Sequence, residues 1–278
     1  MYRPQCGRIL IIVCVLAMVV CNVSVSVSQP IWLSREGDRV ITWEFLKPNF
    51  SGDDRTSFLT SANFLSCRVR VQKIAVVADI PFAHYGLDVE GADVGDDAIG
   101  NPYIGVELSS GENFFVELGA RLPLAPDDNS DENIAVLVGI LTDYVDRVEA
   151  FAVDAIPIVG AVNYLYRNPS GLGFRLRGGP SLLMATGERN EAEAYILYSA
   201  QLGYFGPVVN FSGGLSGRWW VTSDLDGFGE QTLHQFVFAL GFTPGVVQPS
   251  VNIRLPLDQD FSDMLDWVLG VNLAFNLP

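Results

Sequence analysis

Residues 251–277 alternate apolar and polar side chains with a period of two, broken once at 259–263. Val251, Ile253, Leu255 and Leu257 fall on one face, and Asn252, Arg254, Pro256 and Asp258 on the other. After the break, Trp267, Leu269, Val271, Leu273, Phe275 and Leu277 oppose Val268, Gly270, Asn272, Ala274 and Asn276. Successive side chains of an extended chain point to opposite sides, so this period specifies strands. A soluble sandwich would hide the apolar face against a second sheet, but the earlier segments carry no clear sign of a second layer. The pattern therefore predicts a closed barrel whose apolar face meets lipid and whose polar face lines a lumen.

The first 28 residues have the three parts of a secretory signal: Arg3 and Arg8, an uncharged apolar run at 9–21, and small residues at Ser26 and Ser28. The run is shorter than the roughly 20 residues a spanning helix needs, so cleavage near Ser28 is expected, leaving a single barrel domain at 29–278. Three of the four cysteines lie in the signal and only Cys67 follows it, so no internal disulfide is available to the exported chain. Loss of the two signal arginines would take the formal charge from −15 to −17. A chain this acidic is a poor partner for nucleic acid. After Ser28 the longest uncharged apolar run is 134–141, too short for a transmembrane helix.

Strand patterns recur at 39–47, 61–71, 73–82, 101–109, 113–124, 156–167, 172–185, 194–204, 208–221 and 232–242. With the two terminal strands they make about twelve, an even number suited to a closed antiparallel transmembrane β-barrel, an all-β fold with both ends in the periplasm. Alternate connections sort into two kinds. Residues 48–60, 84–100, 125–155, 186–193, 222–231 and 259–263 are mostly long and hold acids such as Asp53, Asp54, Asp96, Asp97, Asp127 and Asp128, as extracellular loops would. The opposite set, near Gln72, 109–112, 168–170, 205–207 and 244–249, is short and rich in Gly, Pro and Ser, as periplasmic turns would be. Residues 134–151 fit neither period and are expected to form a short helix in an extracellular loop or constriction. Trp43, Tyr103, Tyr164, Tyr166, Tyr198, Tyr204, Trp219 and Trp267 fall near strand ends or on the lipid face, where interfacial aromatics belong.

The signal, the long outer loops, the inward Arg and Gly and the amphipathic last strand resemble Gram-negative outer-membrane β-barrel proteins. The segments 101–108 (NPYIGVEL) and 115–124 (FVELGARLPL) are also loosely similar to the barrels grouped with fatty-acid and aromatic-hydrocarbon outer-membrane transporters. The resemblance implies a cell outer membrane location, outer-membrane lipid and small-molecule solutes as partners, and passive movement without a cofactor.

Arg68, Arg70, Arg121, Arg175, Arg177, Arg218 and Arg254 all fall on the non-lipid face, with Glu44, Asp79, Glu107 and Glu117. They are the candidate lumen-lining set. Two uses remain open: a passage preferring anions or polar solutes, or an Arg–carboxylate network bracing a narrow lumen. Enzyme chemistry has little to stand on, since there are two histidines and the best pairing is His234 with Thr232 or Ser223. The acids Asp88, Glu90, Asp93, Asp96 and Asp97 match no defined calcium loop, so no metal site is assigned. The sequence thus predicts an outer-membrane channel or transporter for passive uptake of small solutes, hydrophobic ones included, and not an enzyme. The alternative is a closed structural or adhesive barrel whose acidic loops bind partners or cations. Oligomeric state is left open.

Overall fold

The computed structural model describes residues 38–52, 56–89, 92–110, 113–126, 134–186, 192–225 and 227–277. The expected signal segment and the acids Asp53, Asp54, Asp127 and Asp128 lie outside them.

Strands carry the architecture: β1 (Arg39–Phe50), β2 (Ser61–Val71), β3 (Ile74–Val89), β4 (Ala92–Ile99), β5 (Tyr103–Ser110), β6 (Phe114–Arg121), β7 (Ala155–Arg167), β8 (Leu172–Ala185), β9 (Glu193–Phe205), β10 (Val209–Trp220), β11 (Thr232–Phe242), β12 (Val247–Pro256) and β13 (Leu265–Asn276). Each pairs antiparallel with its neighbours, and β1 closes the ring on β13 with Ile41 opposite Phe275 and Phe45 opposite Val271. β4 and β5 share one stave. The lower half of β3 pairs with β5, from Ile74 opposite Leu108 to Asp79 opposite Tyr103. Its upper half pairs with β4, from Phe82 opposite Ile99 to Val89 opposite Ala92. The result is a closed twelve-stave barrel with thirteen strands, an all-β fold, as the alternation predicts.

The two faces of the wall differ as the period of two requires. Leu65, Ile104, Leu118, Leu202, Phe211, Phe238, Leu240, Val251 and Val271 are exposed on the outside, with Leu202 at 71% and Phe238 at 54%. Inside, Thr42, Ser66, Arg68, Glu107, Gln201, Arg218, Asn252 and Asn272 are buried. An apolar band of this kind needs hydrocarbon around it. Aromatics gather toward both ends: Tyr164, Tyr166 and Phe174 cluster by the β7–β8 turn, while Trp219 packs on Phe228 at the opposite rim. The short turns are local. Gln72 enters the left-handed region (φ 59°) between β2 and β3, and Gly245 does so (φ 91°) between β11 and β12.

Three expectations are corrected. The loop expected at 84–100 is largely a β-hairpin, because β3 continues past Phe82 and pairs with β4. The strand expected to reach Leu124 stops at Arg121, where the Leu122 N–H donates to the Pro102 carbonyl and β4 continues above, paired among the described strands with β3 alone. Tyr103, expected at the interface, points inward and is 4% exposed. It fits there because Gly105 and Gly119, opposite one another in the ladder, offer no Cβ against its ring.

The connection from β6 to β7 folds inward. Its described part comprises α1 (Ile134–Thr142), α2 (Tyr144–Arg147) and a 3₁₀ turn, Val148–Ala150. Ala135, Val136, Val145, Ala150 and Phe151 join Leu46, Ala62, Phe64, Ala83 and Ala98 of the surrounding strands in one apolar cluster. A helix expected in a loop or constriction is therefore present, and it occupies the lumen. A third short helix, α3 (Gln259–Ser262), caps the β12–β13 connection.

Candidate functional site: an occupied lumen

The inserted segment is held differently on its two sides. Toward β1–β4 the contact is mainly apolar, with polar exceptions in Arg147 to Glu44 of β1 and the Ala135 N–H to Asp96 of β4, and Phe151 packs edge-on to Phe64 with centroids 6.1 Å apart. Gly100 and Gly139 permit this approach, since a Cβ on either would run into Ala150 or the Phe151 ring. Toward β10–β12 the contact is ionic and polar. Arg218 on β10 donates to both carboxylate oxygens of Glu149, at 2.9 and 3.0 Å, and the Ser181 hydroxyl donates to the same group. Arg254 on β12 reaches Asp143 at 2.6 Å, Asp146 at 3.5 Å and Glu44 at 2.9 Å. Gln235 on β11 donates to Asp146 at 2.8 Å. Arg147 completes the cluster by bridging Asp143 and Glu44, with its guanidinium 3.5 Å from the Phe64 ring centroid.

Burial makes these contacts matter, because Arg218, Arg254, Glu44 and Glu149 are each at most 2% exposed. Burial pushes the Glu149 carboxyl up, but the adjacent Arg218 and the Ser181 hydroxyl outweigh it and hold it below the ordinary carboxylate range. Asp143 goes the other way: its burial dominates over Arg147 and Arg254, and its carboxyl is raised.

The remaining arginines face the lumen nearer the short-turn end. Arg68 donates to Glu107 at 3.1 Å through Nη2 and 3.2 Å through Nε. Arg70 reaches the Ser109 hydroxyl at 3.3 Å. Arg121 binds Asp79 and the Asn101 carbonyl, both at 2.8 Å. Arg177 approaches Glu117 at 3.4 Å, and Tyr103 donates to that carboxylate at 2.9 Å. Arg175 donates to Asn163 at 3.2 Å. The candidate lumen set therefore divides into local pairs across β2–β8 and a separate group, Arg218 and Arg254, that grips the inserted segment.

Sequence reasoning missed Asp143, Asp146, Arg147 and Glu149, which supply the segment's side of that grip. A signal was available: Asp143 and Arg147 lie four apart, the spacing at which helical side chains meet. Asn101 was missed as well. Its amide donates to the Glu149 and Ala152 carbonyls, while its oxygen accepts from the Leu124 and Ala125 N–H groups, anchoring both arms of the connection.

His234 faces outward near the rim. Its ring meets Asp258 at 3.2 Å and Tyr198 at 2.7 Å. The hydroxyl expected beside it is engaged elsewhere, as Thr232 donates to the Phe228 carbonyl. Asp96 accepts from the Ala135 N–H, and no group of three metal-ligating side chains occurs among the described residues.

No protein-family model and no curated protein sequence matches the chain. Solved structures do. A COG4313 outer membrane channel from Pseudomonas putida F1 superposes with a TM-score of 0.62 at 9% identity, over 89% of this chain and 99% of that one. The translocator domain of the autotransporter NalP from Neisseria meningitidis gives 0.55 at 8% identity, over 87% and 90%. The NanC porin gives 0.50 at 7% identity, over 86% and 100%. At these identities the likeness is one of fold, and the fold is that of outer-membrane β-barrels.

Proposed function

We propose that the protein is an outer-membrane channel for passive movement of small solutes, exported by a cleaved N-terminal signal and held shut by the segment at 134–151. The observation that carries the reading is the asymmetry of the obstruction. A strand wall cannot open without breaking its ladder, but a separate folded insert can move if one side of it lets go. The apolar side toward β1–β4 is the durable one, since burial yields about 25 cal/mol per Å² and is indifferent to water reaching its edge. The side toward β10–β12 consists of buried ion pairs, whose attraction is largely offset by the cost of stripping water from both charges. Water entering there would solvate Arg218, Arg254, Asp143 and Glu149 together, so letting go of this side costs less than exposing the apolar one, while Arg147 can keep its contact with Glu44 of β1. The COG4313 outer membrane channel and the NanC porin share this fold, which is therefore one that can carry a channel.

Planar-bilayer recording tests this. The wild type should show rare, brief openings, and deletion of 135–150 should give steady conductance. A deletion variant that keeps the heat-dependent gel mobility of a closed barrel yet passes no current would favour the second reading, a structural barrel with a permanently filled lumen. That reading draws on the depth of burial below the insert, where Arg68 is 1%, Glu107 0% and Arg175 4% exposed.

A further inference from the structure

Below the insert the lumen has two unlike walls. The charged residues sit on β2–β8, whereas the inward positions of β9–β13 below Arg218 and Arg254 carry uncharged side chains, amides and hydroxyls among them. One register row runs across five strands: Phe205 on β9 lies opposite Asn210, Asn210 opposite Gly241, Gly241 opposite Ser250, and Ser250 opposite Asn272. The next row places Gly203, Ser212, Ala239, Asn252 and Gly270 side by side. The small residues hollow the wall, and Phe205, Asn210, Ser212, Gly241 and Ser250 line a cavity there near the short-turn end.

Several polar atoms of this wall are not used by the fold. Asn272 is 1% exposed, and neither its amide nitrogen nor its oxygen has a hydrogen-bond partner in the protein; the same holds for Asn210 Oδ1, Ser250 Oγ and Asn252 Nδ2. Leaving a buried polar group unsatisfied costs about 1–3 kcal/mol, and native folds keep few of them without a reason. Glu44, the next member of the first row, has its carboxylate taken by Arg147 and Arg254.

From this we infer a binding site for a small, uncharged, polyhydroxylated solute of monosaccharide size, deepening the channel reading on which it rests. Amides offer donor and acceptor together, which is what adjacent hydroxyls require. The Phe205 ring supplies an apolar face against which C–H groups can lie. A charged solute would find no counter-charge among the cavity's lining residues, and an apolar one would leave Asn210 and Ser250, and Asn272 beside Ser250 in the row, as unsatisfied as before. Of the paths that release of the insert could open, the one along β10–β12 leads to this wall.

Equilibrium binding to the full-length protein in lauryldimethylamine-oxide micelles, followed by saturation-transfer NMR, is the test, with glucose, gluconate and toluene as probes. Glucose should bind saturably, gluconate and toluene at least about tenfold more weakly. Asn272→Leu and Asn210→Leu should each weaken glucose by about tenfold, equivalent to ~1.4 kcal/mol, while Ser109→Ala on the opposite wall leaves it unchanged. Retained heat-dependent mobility confirms that each variant is folded, and Ser250→Val serves if a leucine variant is not. Absence of saturable glucose binding, equal binding in the variants, or tighter toluene would overturn the site. Because the assay needs no flux, glucose binding without conductance would sink the channel while sparing the site, and conductance without binding would do the reverse.

Discussion

Removing the Glu149 carboxylate should produce one of two measurable outcomes. In Glu149→Ala the Arg218 guanidinium, 2% exposed, loses both charge-assisted hydrogen bonds. What remains is the Val145 carbonyl at 3.4 Å and the Tyr195 ring, 5.0 Å away at its centroid. If the lumen stays dry, stranding a buried charge costs about 3–5 kcal/mol, a large share of the 5–15 kcal/mol typical of a folded domain. If water enters to solvate Arg218, the loss falls to about 1 kcal/mol, as for an exposed charge, and the same water opens a conducting path. Removing the charges as a pair, with Arg218→Met and Glu149→Leu together, should be within about 1 kcal/mol of wild type, because neither charge is stranded. Urea unfolding in lipid vesicles, followed by tryptophan fluorescence and gel mobility, measures the first outcome; bilayer conductance of the same preparation measures the second. A Glu149→Ala protein that is as stable as wild type and electrically silent would refute the latch.

Asn101→Ala strands two carbonyls and two N–H groups at the root of the insert and should cost about 3 kcal/mol or more at 1–3 kcal/mol per unsatisfied group; less than about 1 kcal/mol in the same urea series would show that the anchor is dispensable. The pH dependence follows from Glu149, whose folded carboxyl is held below its ordinary range. Its contribution is complete above the unfolded value of about 4.3 and is lost as pH falls through the lowered one. The stability difference between wild type and Glu149→Gln should therefore stay flat from about pH 7 to 5 and shrink only in stronger acid; a decline that begins near neutrality would contradict it. Asp143, raised by burial, acts in the opposite sense, its protonated form being favoured by the fold. On the outer wall, Phe238→Arg places a cation in hydrocarbon and should cost about 2–4 kcal/mol near the bilayer midplane, read as reduced folding yield into vesicles; an unchanged yield would mean that this face is not lipid-facing.

The barrel was legible because its strands are half-wet and half-greasy. In β10–β13, Phe211, Phe238, Leu240 and Val271 could be placed outside and Asn252, Arg254 and Asn272 inside from alternation alone, and the ladder follows that register. The insert was not legible in the same way. Ala135, Val136, Val138, Gly139 and Thr142 of α1 are all buried, and a helix covered on several sides has no single apolar stripe to betray its period. The hairpin of β3 and β4 was hidden by composition: Asp88, Asp93, Asp96 and Asp97 read as loop, although a strand pair rising above the wall has no reason to exclude acids. Tyr103 shows how an interior exception arises, since its place depends on Gly105 and Gly119 lying across from one another. That fact belongs to the pairing of β5 with β6 and to neither strand alone.

The ring closes where the first strand, β1, meets the last, β13. Trp43 faces Leu273 and Thr42 faces Ala274, partners separated by most of the polypeptide, so this seam has the longest loop of any in the molecule and should be the last to zip. Until it does, the growing sheet presents two raw borders of unmated amides that a bilayer core cannot tolerate. Insertion is therefore expected to be all-or-none, with any chaperone or assembly factor holding those borders apart from lipid until β13 arrives.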